Sequence, residues 1–70
     1  MRRKRVASSV LTSVGYDPGK GILEVEFAGG RVYRYFVVPA AVYRELMEAG
    51  SLGRYFNEFV RDKYPVREVG

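Results

Sequence analysis

The sequence predicts an α+β domain: a three-stranded antiparallel meander followed by two C-terminal helices packed on one sheet face. Three observations carry this. Apolar and polar residues alternate with period two as far as Tyr35, then recur at spacings of three and four from Val42 onward. Two turn clusters, Asp17-Pro18-Gly19-Lys20-Gly21 and Ala28-Gly29-Gly30, cut the first half into short segments. Pro39 stands where the period changes. Proline has no N–H to give a ladder, and its fixed φ suits the first turn of a helix.

Arg2, Arg3, Lys4 and Arg5 form a basic arm. Residues 1–5 are expected to be disordered, because a charged segment buries too little apolar area to offset its ordering entropy. Residues 6–70 then make one domain. Val10, Thr12, Val14 and Tyr16 alternate with Leu11, Ser13 and Gly15, which predicts a strand over about residues 8–16. Leu23, Val25 and Phe27 alternate with Ile22, Glu24 and Glu26 in a second strand. Tyr33, Tyr35 and Val37 alternate with Val32, Arg34 and Phe36 in a third. Short connections between successive strands imply antiparallel pairing.

The glycine turn sets the register of the last two strands. A two-residue Gly29-Gly30 loop would put Arg34 on the face of Leu23, Val25 and Phe27. A three-residue loop, Ala28-Gly29-Gly30 with Gly30 left-handed, pairs Val25 with Tyr33 and Glu24 with Arg34. The second is preferred, since it keeps an unpaired guanidinium out of the core and makes a cross-strand ion pair. It also turns Tyr33 and Tyr35 inward.

Val42, Leu46 and Ala49, with Tyr43 and Met47 beside them, mark one face of a first helix. Gly50 is a stop signal and Ser51 an N-cap signal. Leu52, Tyr55, Phe56, Phe59, Val60 and Tyr64 form the apolar side of a second helix; Arg54, Asn57, Glu58, Arg61 and Asp62 form its polar side. Pro65 ends it, leaving Val66–Gly70 as a tail. The expected core is Leu23, Val25, Phe27, Tyr33, Tyr35, Leu46, Phe56 and Phe59.

With 70 residues and no cysteine, the fold has neither disulfide nor thiolate metal site to support it, and its ten aromatic residues must supply much of the burial. No span approaches the roughly 18 apolar residues needed to cross a membrane. The arm and the Val6–Leu11 segment after it are too polar for a secretory signal, because Ser8, Ser9, Thr12 and Ser13 interrupt the run. A cytoplasmic location is expected. The net charge of +4 belongs to the arm: without residues 2–5, eight basic residues face eight acidic ones.

The chain resembles the KTSC domain, a short module found alone in bacterial and phage proteins and at the C-terminus of some lysyl-tRNA synthetases. The residues that carry the resemblance are Ser8-Ser9, Gly15-Tyr16-Asp17, Leu23-x-Val25-x-Phe27, Tyr33-x-Tyr35, Val38-Pro39 and Ala49-x-Ser51-x-Gly53-x-Tyr55-Phe56-Asn57. They span about residues 6–64. The resemblance implies no catalytic residue; for the family, RNA binding has been suggested.

Catalytic signals are few. Without histidine or cysteine the chain lacks the usual general base, metal ligand and thiolate nucleophile, and no cofactor, metal or small-molecule substrate is expected. Ser8-Ser9 reads as turn hydrogen bonding. Glu24 and Glu26, about 6–7 Å apart on one strand face, read as a wet sheet face rather than a carboxylate pair. Arg54, Asn57 and Arg61 share a helix face and can hold phosphate, though Glu58 and Asp62 interleave with them. The expected function is a non-enzymatic binding module for RNA, with Arg2, Arg3, Lys4, Arg5, Arg54, Asn57 and Arg61 in contact. The alternative is a protein-interaction or homodimer module using an apolar strip, Ile22, Val32 and Phe36, on the outer sheet face.

Overall fold

Five strands, not three, make the sheet. The computed structural model describes residues 1–70. The elements are β1 (Lys4–Arg5), β2 (Leu11–Asp17), β3 (Ile22–Phe27), β4 (Val32–Tyr35), α1 (Ala40–Glu48), α2 (Leu52–Phe59) and β5 (Val66–Glu68). The strands lie in sequence order, each antiparallel to the next. The central meander β2–β3–β4 is as expected. The additions come from the arm and the tail, which pair with its two edges. Segments of two and three residues are too short to show a period. They form because an open strand edge presents unpaired N–H and C=O groups. Both new edges are short and carry Lys4, Arg5 and Arg67, which discourages further strand addition.

The three-residue loop sets the register. Val25 pairs with Tyr33 and Glu24 with Arg34, Phe27 N–H donates to the Arg31 carbonyl, and Gly29 and Gly30 both have positive φ. Leu23, Val25, Tyr33 and Tyr35 therefore share the inner face. Both helices pack on that face: Phe56 of α2 meets Phe27 and Tyr35 edge-on at 5.4 Å. Tyr16 stacks on Tyr43 of α1 at 4.9 Å and donates its hydroxyl to the Val38 carbonyl.

The core differs from expectation at both ends. Leu11, Val14, Val38 and Val60 are fully buried members, and Phe27 and Tyr33 are only partly covered. In β2 the cause is a bulge. Leu11 pairs with Phe27 but Ser13 with Glu26, so Thr12 is an extra residue. Leu11 and Ser13, two apart, thus face opposite sides, a break in period that no alternation rule reveals. In α2 the buried line is Gly53, Phe56 and then Val60 beyond its end. That rotates the apolar stripe away from Phe59, which is 52% exposed and lies against Tyr55. Ser51 caps the helix as expected, accepting the Arg54 N–H. No helix is long and apolar enough to cross a membrane.

Candidate nucleic-acid interface

The outer face of the sheet carries no helix, and its side chains are set by the ladders. One row runs across it: Gly15 opposite Glu24, Glu24 opposite Arg34, Arg34 opposite Arg67. A second holds Arg5, Ser13, Glu26 and Val32. Arg3 lies one residue before Lys4, which pairs with Val14, so it enters the first row at Gly15.

Glycine at that position is what lets the arm lie down. A Cβ on Gly15 would stand 2.5 Å from the Arg2 carbonyl oxygen and 3.1 Å from Arg3 Cγ. With that space open, the Arg3 guanidinium reaches Glu24, and its Nε donates to Ser13 Oγ at 2.8 Å. Arg34 Nε donates to the other Glu24 oxygen at 2.7 Å. Ser13 in turn donates to Glu26 at 2.9 Å. Glu24 is only 4% exposed. Burial pushes its carboxyl pKa up, but the hydrogen bonds and charges of Arg34 and Arg3 outweigh this and hold it below the usual range. It stays ionised as the anchor of two arginines that keep contact with water.

Charge follows the same division. Residues 1–35, which build β1–β4, hold seven Lys and Arg against three Asp and Glu; residues 36–70 hold five against five. The net +4 therefore lies entirely with the sheet half.

The residues expected at the site do not come together. Arg3 and Arg5 are on the outer face. Arg54, Asn57 and Arg61 are on α2 or just past it, in the layer packed against the inner face. Arg54 approaches Glu58 at 3.5 Å, and Arg61 donates to Asn57 at 3.2 Å. The arm, expected to be free, is tied down by β1 and by Arg3. The sequence showed the Glu24–Arg34 pair, through the register that keeps Arg34 out of the core. It did not show Arg3, Ser13 or Arg67 beside it; the one local signal was a glycine inside a strand, which marks close approach of another backbone. The expected apolar strip is interrupted, because Arg34 and Glu24 stand between Val32 and Ile22 on that face.

Ser8-Ser9 and Ser51-x-Gly53 meet at a second place. The Ser8 hydroxyl accepts the Val10 and Leu11 N–H groups. A Cβ on Gly53 would lie 2.8 Å from Val10 Cγ2, so the helix seats directly on that turn. These residues hold α2 to the chain before β2, which is the turn role expected for Ser8.

The sequence profile of the KTSC domain matches residues 7–64. An uncharacterised protein of Stutzerimonas stutzeri is 50% identical over 64 residues, covering 91% of this chain and 90% of that one. A lysine–tRNA ligase of Nostoc punctiforme is 36% identical over 61 residues, which are 87% of this chain and 11% of the ligase. The crystal structure of a KTSC domain protein from Yersinia pestis superposes with a TM-score of 0.96 at 36% identity, over 99% of this chain and 97% of that one. Profile, relatives and fold agree over almost the whole chain, with the motif residues at the Ser8 turn, the Tyr33–Tyr35 strand and the start of α2: the chain belongs to the KTSC domain family.

Proposed function

We propose that the protein is a non-enzymatic RNA-binding module and that the outer sheet face, not the helix, is the surface RNA meets. The observation that carries this is the charge partition. All of the net charge lies with the sheet half, and Arg3, Arg5, Arg34 and Arg67 project from a face no helix covers. Phosphates follow such a surface without reading sequence. Lys4 pairs with the buried Val14 and so lies on the opposite side of β1; it and Arg2 add positive charge from the exposed sheet edge. The lysine–tRNA ligase relatives, which carry the same domain inside a protein named for tRNA, support an RNA partner. Tyr33 and Tyr35 face inward, on the opposite side of the sheet from this surface, and take no part in it.

Fluorescence anisotropy with a short RNA that carries a 5′-hydroxyl, over a salt series, tests this. Deleting residues 2–5 lowers the salt slope by about 0.7 for each single-strand phosphate that the arm neutralises in the intact protein. Arg34→Gln and Arg67→Gln each lower it by at most one such step, and Arg54→Ala and Arg61→Ala leave it unchanged. A slope that responds to Arg54→Ala and Arg61→Ala instead moves the surface to α2. No binding at low salt to single- or double-stranded probes overturns the proposal. If the mass in solution then rises with concentration, the face serves self-association.

A further inference from the structure

On the helical side lies a cleft of about 470 Å³, within the size range of small-molecule sites. Its walls are Phe27, Tyr33 and Tyr35 from the sheet, Val66 from β5, and Arg61 and Asp62 from the turn after α2, with Arg31 at one side. The Tyr35 side chain is almost wholly buried and forms part of the cleft wall. Arg31 and Arg61 have no carboxylate within salt-bridge distance; Arg61 leans only on the neutral Asn57 amide. Asp62 has no guanidinium partner either. Glu68 accepts the Tyr33 hydroxyl at 3.5 Å beside it.

This lining describes its ligand. Aromatic walls suit a ring. The Arg61 guanidinium, which has no carboxylate partner, suits a phosphate, and Arg31, which leans on the Tyr33 hydroxyl near Glu68, stands on the other side to share it. The Asp62 carboxylate would repel a bare anion, but it accepts hydrogen bonds from the N–H groups on the edge of a base. A simple anion, a neutral ring and a cation each satisfy only part of the set. We propose that the cleft beside Tyr33 and Tyr35 binds a mononucleotide unit: a base against the tyrosines, its N–H edge at Asp62 and its phosphate at Arg31 and Arg61. Burial raises the Tyr35 hydroxyl pKa, so it remains a donor to that ligand at neutral pH.

The cleft opens on the helical side, so this site is separate from the outer sheet face and stands or falls without it. The same chemistry is offered by a free nucleotide or by the 5′-phosphorylated end of an RNA. The test is an amide-resolved NMR titration with guanosine 5′-monophosphate, guanosine and inorganic phosphate. Saturable shifts are expected at Gly29, Arg31 and Val66 with the monophosphate. Guanosine and phosphate alone should each bind at least about tenfold more weakly, a difference of about 1.4 kcal/mol. Tyr35→Phe keeps the buried ring and Asp62→Asn keeps a residue tolerant of the left-handed turn, so both should fold. Each should weaken the monophosphate about tenfold, as should Arg61→Gln, whereas Arg44→Gln, on the exposed side of α1, should change nothing. A 5′-phosphorylated trinucleotide that binds as tightly identifies an RNA end as the source; one that binds more weakly identifies the free nucleotide. Absence of saturable shifts at millimolar monophosphate overturns the site. So do shifts confined to Arg34 and Arg67, or binding indifferent to Tyr35→Phe and Arg61→Gln.

Discussion

The two faces of one sheet are held by different physics. On the inner face, Leu23, Val25 and Tyr35 meet Leu46, Phe56 and Val60 in a dry cluster. On the outer face, a nearly buried glutamate draws in Arg3 from β1's side and Arg34 from β4. The inner face is non-directional: any apolar side chains of suitable volume would cover it. The outer face is directional and depends on one glycine, one serine and one carboxylate at fixed register. The inner face therefore carries most of the folding energy, and the outer face decides where the N-terminal arm lies.

The largest expected effect is on the inner face. Phe56→Ala removes a fully buried ring that touches Phe27 and Tyr35. It should cost about 3–5 kcal/mol, a large share of the stability of a domain this small. Urea denaturation followed by circular dichroism measures it. A loss no larger than that of the outer-face variants below would erase the distinction between the faces.

Next is Gly15→Ala, which separates the arm from the fold. The new methyl would meet the Arg2 carbonyl oxygen at 2.5 Å, and overpacking of this kind costs about 1–3 kcal/mol. The cheaper response is for the arm to lift, because β2 still pairs with β3. Hydrogen exchange should show the Val6 amide, bonded to the Thr12 carbonyl, losing protection, while β3 and α2 keep theirs. Uniform loss of protection would mean that the arm is integral to the core rather than laid on it.

The same contrast explains what could be read in advance. Alternation and helical spacing found the meander, both helices and the inner face of Leu23, Val25 and Tyr35, because a buried face imposes its period on the sequence. The Ala28-Gly29-Gly30 segment allowed two loop lengths, and the cost of burying Arg34 unpaired chose between them, giving the register with the Glu24–Arg34 pair. Leu11 was missed because the bulge at Thr12 breaks the period, and Phe59 was misplaced because Gly53 turns the buried stripe of α2. β1 and β5 were missed because their pairing is supplied by partners distant in sequence. The outer-face assembly of Arg3, Ser13, Glu24 and Arg34 joins four parts of the chain, and no local pattern announces it. For the same reason the expected grouping of Arg54, Asn57 and Arg61 with the arm did not form.

Glu24→Gln sharpens the comparison through pH. Removing the charge weakens hydrogen bonds to two guanidinium groups; bonds to charged groups contribute about 1.5–3 kcal/mol. The loss should fall near the lower end, at about 1.5 kcal/mol, because the Arg3 and Arg34 side chains remain 29% and 41% exposed and recover water. The folded pKa of Glu24 is depressed, so its contribution is full above the unfolded value of about 4.3 and disappears as pH falls through the lower folded value. The gap in melting temperature between native protein and variant should be constant from neutral pH down to about 4.3, narrow below that, and be closed once pH is under the folded value. A gap that persists unchanged in acid would show that Glu24 acts by shape and not by charge.

The smallest effect is expected where the chain leaves the sheet for the helical layer. Val37 has φ of 59° and is 75% exposed. A β-branched residue in the left-handed region is strained by about 1–2 kcal/mol, since its Cβ crowds the following carbonyl. Nothing in its packing offsets that strain. The kink is held from both sides instead: the Val38 N–H donates to the Gly21 carbonyl at 2.8 Å, and the Val38 side chain is in the core. Val37→Gly removes the strain and loses almost no burial, but it gives the unfolded chain more freedom, worth about 0.5–1 kcal/mol. The net should be a stabilisation of about 0.5–1 kcal/mol, seen as a rise of a few degrees in melting temperature. Val37→Ala keeps a Cβ and should gain less. Destabilisation by Val37→Gly would mean that the exposed isopropyl group is held by contacts at this crossing, and that the path from sheet to helix is fixed by side-chain packing as the inner face is.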